Sequence, residues 1–261
     1  MDIIANYGTL LVLTAAAVGF FMAYGIGAND VANAMGTSVG SKALTIKQAI
    51  IIAMVFEFAG AYLAGGEVTS TIRKGIIDAT PFMDIPELMI LGMIAALFAA
   101  GSWLLIASFL GWPVSTTHSI IGAIIGFALV AVGSEAIQWN KVMGIVGSWI
   151  VTPAISGFIA YLIFMSAQKL IFDTETPLKN AKRFVPIYMG LAGFIMSLVT
   201  IKKGLKHIGI NLGAVEGYAL SIAIAVVVAI IGKIAIARLK IDPKADKAMQ
   251  FNNVEKVFAV L

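Results

Sequence analysis

Residues 10–41 read LLVLTAAAVGFFMAYGIGANDVANAMGTSVGS, an apolar run followed directly by small and amide residues with one carboxylate. That carboxylate, Asp30, lies between Asn29 and Asn33, and no basic residue precedes Lys42. A charged side chain near the centre of a bilayer costs about 2.5–3.5 kcal/mol on insertion scales. We therefore expect Asp30 to face protein, water or a cation rather than lipid.

The composition of the whole chain places it among membrane proteins. Of its 261 residues 60% are hydrophobic and 12% are charged, with a mean hydropathy of +0.96, whereas soluble domains are about 45–50% apolar and about 25% charged. The absence of cysteine excludes disulfides and thiol chemistry, and two histidines leave little for a transition-metal site. Lysines and arginines of cytoplasmic loops explain the net charge of +4 more simply than a nucleic-acid partner does.

Several apolar runs are long enough for helices that cross a bilayer, which takes about 20 residues. About seven such runs occur, at 8–27, 46–65, 87–110, 114–133, 142–168, 184–201 and 215–237. We predict an all-α membrane protein with a transmembrane domain over 1–237, and a cytoplasmic linker with the start of a further helix over 238–261. Because only residues 111–118 join the third and fourth runs, these are either two full spans or a re-entrant hairpin.

The distribution of basic residues predicts the orientation. With the N-terminus outside, eleven basic residues lie in cytoplasmic segments and six in outside segments. The cytoplasmic set is Lys42, Lys47, Lys169, Lys179, Lys182, Arg183, Arg238, Lys240, Lys244, Lys247 and Lys256, and the outside set is Arg73, Lys74, Lys141, Lys202, Lys203 and Lys206. The positive-inside rule then predicts a multi-pass protein of the cell membrane with a cytoplasmic tail.

The first polar segment, around Asp30, has the chemistry of a cation site. On a helix Asn29, Asn33, Gly36 and Gly40 share one face, and the glycines can leave backbone carbonyls exposed. Carboxylate, amide and carbonyl oxygens are the ligands that small hard cations prefer. The alternative, a packing face of small residues, explains the glycines but not the carboxylate. We predict that Na⁺ is bound by Asp30 and Asn33, with Asn29 beside them.

The second polar segment is GWPVSTTHSIIG at 111–122. Pro113 is compatible with the first turn of a helix, and Ser115, Thr116 and Thr117 follow at once. Hydroxyls, unpaired N–H groups and the positive end of the dipole at a helix start favour an oxyanion. Ser and Thr also cap helices, but one residue suffices for that.

His118 and Ser119 follow in the same helix start. His118 either makes a structural hydrogen bond or senses protonation near neutral pH, and we treat both residues as candidates for gating or proton sensing. Neither polar segment contains Lys or Arg, so a bound anion would be repelled by Asp30. A cation between them, Na⁺ or H⁺, resolves this repulsion and couples the two ligands.

Glu57 lies in the apolar run IIIAMVFEFAGAYLAGG at 50–66, with Ala53, Gly60 and Ala61 on its face. We expect it to point at a close neighbour rather than at lipid, and a buried structural hydrogen bond would explain that position. No GxxxxGK[ST] loop and no nucleophile–base–acid arrangement occurs. The sequence therefore favours a transporter over an enzyme, with no organic cofactor.

The segments GANDVANAMG (27–36) and PVSTTHSIIGAIIG (113–126), with Glu57 between them, strongly resemble the signature of the inorganic phosphate transporter (PiT) family of sodium– or proton–phosphate symporters. The resemblance implies that Ser115, Thr116 and Thr117 contact phosphate, with Asn29 beside them, and that Glu57 takes part in cation binding or gating.

The resemblance also implies an inverted-repeat transporter that carries the signature twice around a central cytoplasmic loop. These residues hold only one copy, so the expected partners are phosphate, the coupling cation, the bilayer and a C-terminal half or complementary chain, with a homodimer as another option. Three rival hypotheses are a permease for sulfate or another oxyanion, a membrane enzyme that handles lipid phosphates, and a non-transporting membrane subunit.

Overall fold

The computed structural model describes residues 3–78, 80–204 and 212–238, and these ranges fold into seven α-helices with no β-strand. The helices are α1 (Ile3–Gly40), α2 (Ile46–Gly75), α3 (Pro86–Phe109), α4 (Thr116–Ala131), α5 (Trp139–Ala167), α6 (Pro177–Val199) and α7 (Ala214–Arg238). Six of the helices within these ranges are long and apolar enough to cross a membrane, and α4 is a shorter apolar helix. The predicted all-helical membrane architecture is confirmed.

Helix α1 is much longer than the apolar run at 8–27 that predicted it. It continues through the polar segment to Gly40 as one uninterrupted helix of 38 residues, about 57 Å at 1.5 Å per residue. The expectation that its glycines free backbone carbonyls for a cation is wrong. Alanine and methionine in VANAM favour the helix, and they offset the cost of the glycines around them.

The chain divides into two compact units, one formed by residues 1–36 and 69–149 and the other by 37–68 and 150–261. The first unit contains α3, α4 and the greater part of α1, and its core includes Met22, Leu104 and Ile124. Both polar segments singled out from the sequence fall largely within this unit. The second unit contains α6 and α7.

Within the first unit, α1 packs against α3 through two glycines. A Cβ atom on Gly25 would lie 3.2 Å from the Gly101 carbonyl oxygen, and one on Gly101 would lie 3.0 Å from the Met22 Cα atom. The rings of Phe21 and Phe98 stack on the same contact with centroids 5.6 Å apart. Residue numbers rise together along both helices, so α1 and α3 run parallel at close backbone distance.

Helices α3 and α4 form an antiparallel hairpin. The Phe127 ring, near the end of α4, occupies the space where a side chain at Gly92 would begin, near the start of α3. At the base of the hairpin, Asp78 N donates to Ala136 O at 2.8 Å and Gln138 N donates to Ile76 O at 3.0 Å. These bonds join the connection before α3 to the connection after α4.

In the second unit, α6 and α7 pack antiparallel through small residues. A Cβ atom on Gly190 would lie 3.1 Å from Ala225 O, and one on Gly232 would lie 2.6 Å from the Met189 sulfur. The hydroxyls of Ser166 on α5 and Tyr188 on α6 lie 2.7 Å apart. Of the linker predicted at 238–261, residues 239–261 lie outside the described residues, as does the outside residue Lys206.

Candidate functional site

The tip of the α3–α4 hairpin begins with a helix C-cap that requires glycine. Gly111 has φ +69°, in the left-handed region that glycine occupies without strain. Its N–H donates to Ser108 O at 3.2 Å, and Trp112 N donates to Ala107 O at 2.8 Å. This pair of bonds is a Schellman motif, and it turns the chain out of α3 at a fixed angle.

Asn29 on α1 holds this tip by its side-chain amide. Its nitrogen donates to Trp112 O at 3.0 Å and, more weakly, to Ser108 Oγ at 3.5 Å. Its oxygen accepts from Val114 N at 3.3 Å and from Asn33 Nδ2 at 3.4 Å. The side chain is only 4% exposed, and an amide has two donors and two acceptor positions. All four are used by the protein.

The predicted contact of Asn29 with phosphate or a cation is therefore not supported, because no donor or acceptor position is left over. Asn33, one turn later, is exposed and uses only its nitrogen, in the bond to Asn29. Its amide oxygen remains open to a cation. Of the two asparagines that flank Asp30, the structure thus leaves Asn33 as the candidate ligand.

Asp30, the next residue along α1 after Asn29, meets the start of α4. Its half-buried carboxylate lies close enough to the Thr116 side chain to interact with it electrostatically. The two polar segments, with these residues 86 positions apart in the sequence, therefore meet in one place. The predicted proximity of the carboxylate and the hydroxyl-rich helix start is present.

The N-terminus of α4 is capped by Ser115. The Ser115 hydroxyl accepts from His118 N at 3.3 Å, so one of the predicted anion-binding hydroxyls serves the helix itself. Pro113 lies two residues before this cap and not in the first helical turn, because the backbone of Val114 is already committed to Asn29. The N–H groups of Thr116 and Thr117 and the Thr117 hydroxyl make no hydrogen bond within the described residues.

A cavity of about 340 Å³ opens beside the capped helix start, lined by Trp103, Val114, Ser115, His118 and Ser119. The His118 ring contacts the Trp149 ring, with centroids 3.7 Å apart. The Ser119 hydroxyl donates to Ser115 O at 2.8 Å, so it is committed to the helix. The imidazole of His118 is the ionisable group of this cavity.

Glu57 lies on α2 in the second unit, and its side chain is exposed. On the face predicted to contact a neighbouring helix, Gly60 and Ala61 are exposed as well, whereas Ala53 is buried. The role of Glu57 in cation binding or gating stays a prediction.

Sequence reasoning missed Ser108 and Trp112, which meet the Asn29 amide through a hydroxyl and a backbone carbonyl. Ser108 also donates to Leu104 O at 2.8 Å. Its signal was a hydroxyl near the end of an apolar run, about one turn before Gly111; Ser102 is the other hydroxyl of that run. The Trp112 carbonyl has no signature in a sequence, since any residue at the tip supplies one.

The hairpin tip lies beside the interior of α1 and not beside its end. Asn29 is eleven residues before Gly40, so α1 continues for about 16 Å past the tip. Helix α4 has 16 residues and is about 24 Å long, shorter than the ~30 Å hydrocarbon core of a bilayer.

Comparisons with known proteins agree on one family. The profile of the phosphate transporter family matches residues 26–261. The "Putative phosphate permease" of Haemophilus influenzae is 55% identical over all 261 residues and 62% of its own length. The chloroplastic inorganic phosphate transporter 2-1 of Arabidopsis thaliana is 42% identical over 76% of this chain and 33% of its own length.

Among solved structures, one described as the sodium-dependent phosphate transporter matches with a TM-score of 0.84 and 40% identity, over 95% of this chain and 59% of its own. The chain therefore spans about three fifths of the length of this structure and of the Haemophilus relative.

Proposed function

This chain belongs to the phosphate transporter family, and we propose that it forms the substrate-binding part of a secondary transporter that moves inorganic phosphate together with Na⁺. Membership places it among multi-pass membrane transport proteins and not among enzymes, as predicted. The observation that carries the proposal is the proximity of the Asp30 carboxylate to the Thr116 side chain at the start of α4.

Phosphate is assigned to the start of α4. The N–H groups of Thr116 and Thr117 point from the helix end without an internal partner, and the helix dipole favours an anion there. The Thr117 hydroxyl adds a donor, while Ser115 acts mainly by holding the helix end through its cap. Half-helix N-termini aimed at anionic groups are a recurring device in transporters.

Na⁺ is assigned to Asp30 and Asn33 on α1. These residues lie three positions apart and so project from neighbouring positions on one helix face. They offer a carboxylate and an amide oxygen, and the Thr116 hydroxyl oxygen lies next to the carboxylate. Such oxygen donors suit a small hard cation.

Coupling follows from the single proton of the Thr116 hydroxyl, which can be donated to one acceptor at a time. Without a cation we assign this proton to Asp30, which lies beside the Thr116 side chain, and the uncompensated carboxylate repels an anion. When Na⁺ neutralises the carboxylate, the hydroxyl is free to donate to phosphate. Each ligand then raises the affinity for the other, as linkage requires. A proton on Asp30 would act in the same sense.

The α3–α4 hairpin is assigned as re-entrant, because α4 is short and α1 continues for about 16 Å past the hairpin tip. With the N-terminus outside, as the basic residues favour, the hairpin enters from the outside. Its tip then brings the phosphate site into the interior of the cell membrane. Alternating access of this site to the two sides would complete the cycle.

The relatives are longer than this chain, so the complete pathway is assigned to more than these residues. A further half, supplied by a C-terminal part or a complementary chain, is the arrangement we propose, and a second copy of this chain is the other arrangement to test.

The test is uptake of radiolabelled phosphate by proteoliposomes containing residues 1–261, alone and with a complementary half, in Na⁺ and in choline medium. We expect Na⁺-dependent uptake that unlabelled phosphate suppresses and sulfate does not. Uptake that is independent of Na⁺ at every pH, or suppression by sulfate as strong as by phosphate, would contradict the assignment.

A further inference from the structure

We propose that Asn29 is a positioning residue, supported by Ser108, which fixes the direction of the α4 N-terminus and thereby the meeting of Thr116 with Asp30. This inference rests on the proposed function for its transport readout but not for its structural one. Asn29 precedes Asp30 in the sequence, but in this proposal it positions α4 and does not itself bind Na⁺ or phosphate.

The first argument is the saturation of the Asn29 amide. Its nitrogen is bound to Trp112 O and Ser108 Oγ, and its oxygen is bound to Val114 N and Asn33 Nδ2. At 4% exposure the group has exchanged water for these partners. A ligand would have to break a buried hydrogen bond, which is expensive when no water replaces it.

The second argument is the position of the residues that Asn29 binds. Trp112 and Val114 flank Pro113, so the Asn29 amide binds the connection between α3 and α4 on both sides of this proline. Ser115, the next residue, caps α4, and Thr116, the first residue of α4, contacts Asp30. A shift in the position or direction of this segment would therefore also move the N–H groups of Thr116 and Thr117.

The third argument is the support behind Asn29. Gly25, one turn earlier on α1, packs at close backbone distance against Gly101 on α3. That contact holds the two parallel helices near enough for a short amide to reach Ser108 and Trp112. The Ser108 hydroxyl is itself oriented by donation to Leu104 O at 2.8 Å, which leaves its oxygen to accept from Asn29.

The discriminating variant is Asn29→Asp, which is nearly isosteric. A carboxylate is a better cation ligand than an amide, so a ligand role predicts Na⁺ half-saturation that is unchanged or lower. A positioning role predicts weaker binding of both ligands, because the donor to Trp112 O is lost and two carboxylates then lie side by side. Asn33→Ala is the matched comparison, since it removes one contact of Asn29 and leaves the grip on Trp112 and Val114 intact.

The readout is amide hydrogen exchange of the segment 112–117 in the protein without phosphate. In Asn29→Ala we expect exchange at Val114 to rise at least tenfold, because the oxygen that accepts its N–H is lost, with the hairpin base at 76–78 and 136–138 still protected. Ser108→Ala should raise it less than threefold, because that variant loses only the 3.5 Å contact. Asn33→Ala should leave it within twofold of wild type.

The transport readout follows the same logic. We expect the phosphate KM to rise at least tenfold in Asn29→Asp, and the Na⁺ half-saturation to shift in Asn33→Ala. Unchanged exchange at Val114 in Asn29→Ala, or tighter Na⁺ binding in Asn29→Asp, would overturn the proposal. If wild type transports no phosphate the proposed function fails, and the exchange data still decide whether Asn29 positions α4.

Discussion

The carboxylate of Asp30 lies beside the side chain of Thr116, although one residue lies inside a long helix and the other begins a short one. This contact brings a group suited to a cation next to a helix end suited to an anion. Three residues lie beside this contact. Asn29 binds the connection between α3 and α4, Ser115 caps α4, and the Thr117 hydroxyl has no partner among the described residues.

Asp30→Asn should reduce Na⁺-dependent phosphate uptake at least 100-fold, because the amide keeps the shape but removes the charge that binds the cation. The control is Asp78→Asn in the same unit. Thr80 N and Oγ1 donate to the Asp78 carboxylate at 2.9 and 2.7 Å and lower the pKa of that exposed carboxyl, so it is charged at neutral pH. The control should keep wild-type uptake; equal loss in both variants would refute the site.

Thr116→Val should uncouple the ligands. Without its hydroxyl, raising the Na⁺ concentration should change the phosphate KM by less than twofold, whereas the wild-type KM should fall severalfold. Thr117→Val should instead raise the phosphate KM about tenfold at every Na⁺ concentration, since one hydrogen bond of about 1.4 kcal/mol is lost. Initial rates over a grid of both concentrations distinguish these patterns, and full coupling in Thr116→Val would contradict the mechanism.

Ser115→Ala should lower the stability of the purified protein by about 1 kcal/mol, because a helix cap is lost. Ser115→Thr keeps the capping oxygen and should restore most of that stability. Thermal unfolding in one detergent, followed by circular dichroism, measures the difference. A larger loss in Ser115→Thr than in Ser115→Ala would show that the hydroxyl is not acting as the cap.

Gly101→Ala should destabilise the protein by about 1–3 kcal/mol, as overpacking does. The added methyl would lie 2.9 Å from the Phe21 ring and 3.0 Å from the Met22 Cα atom. Gly122→Ala on α4 is the control, since nothing lies within 4 Å of its Cβ position and alanine favours a helix. The same unfolding assay should show Gly122→Ala at or above wild-type stability.

The orientation can be tested without removing native thiols, because the chain contains no cysteine. Glu135→Cys, in the turn after α4, should react with a membrane-impermeant maleimide added outside intact cells. Glu175→Cys, between α5 and α6, should react only after the membrane is opened. The reverse pattern would place the N-terminus in the cytoplasm and the hairpin on the opposite side.

The sequence predicted the helical class, and it indicated a candidate site, because both leave strong local signals. Apolar runs of about 20 residues are typical of membrane-spanning helices. Asp30 and the Ser-Thr-Thr segment raise the free energy of membrane insertion, so their presence indicates a functional or structural role. The sequence could not predict that Asn29 and Asn33 differ. They lie one turn apart on the same helix face, and only the packing of α3 makes one buried and saturated and the other exposed.

Local sequence signals also could not predict where the helices begin and end. The first apolar run ends at residue 27, but the helical hydrogen bonding continues through VANAM (31–35), because these side chains are compatible with a helix. Pro113 indicated a helix start because proline is common there. The helix begins later, because Asn29 takes the Val114 N–H and Ser115 becomes the cap.

The hairpin is secured at both ends, at its base by the backbone bonds between 76–78 and 136–138 and at its tip by Asn29. Because the hairpin is bound at both its base and its tip, it cannot rotate about its base alone. We therefore expect the start of α4, the proposed anion site, to move as one rigid body with the segment of α1 around Asn29. Exposure to the two sides of the membrane would then be governed by the elements that move around this body.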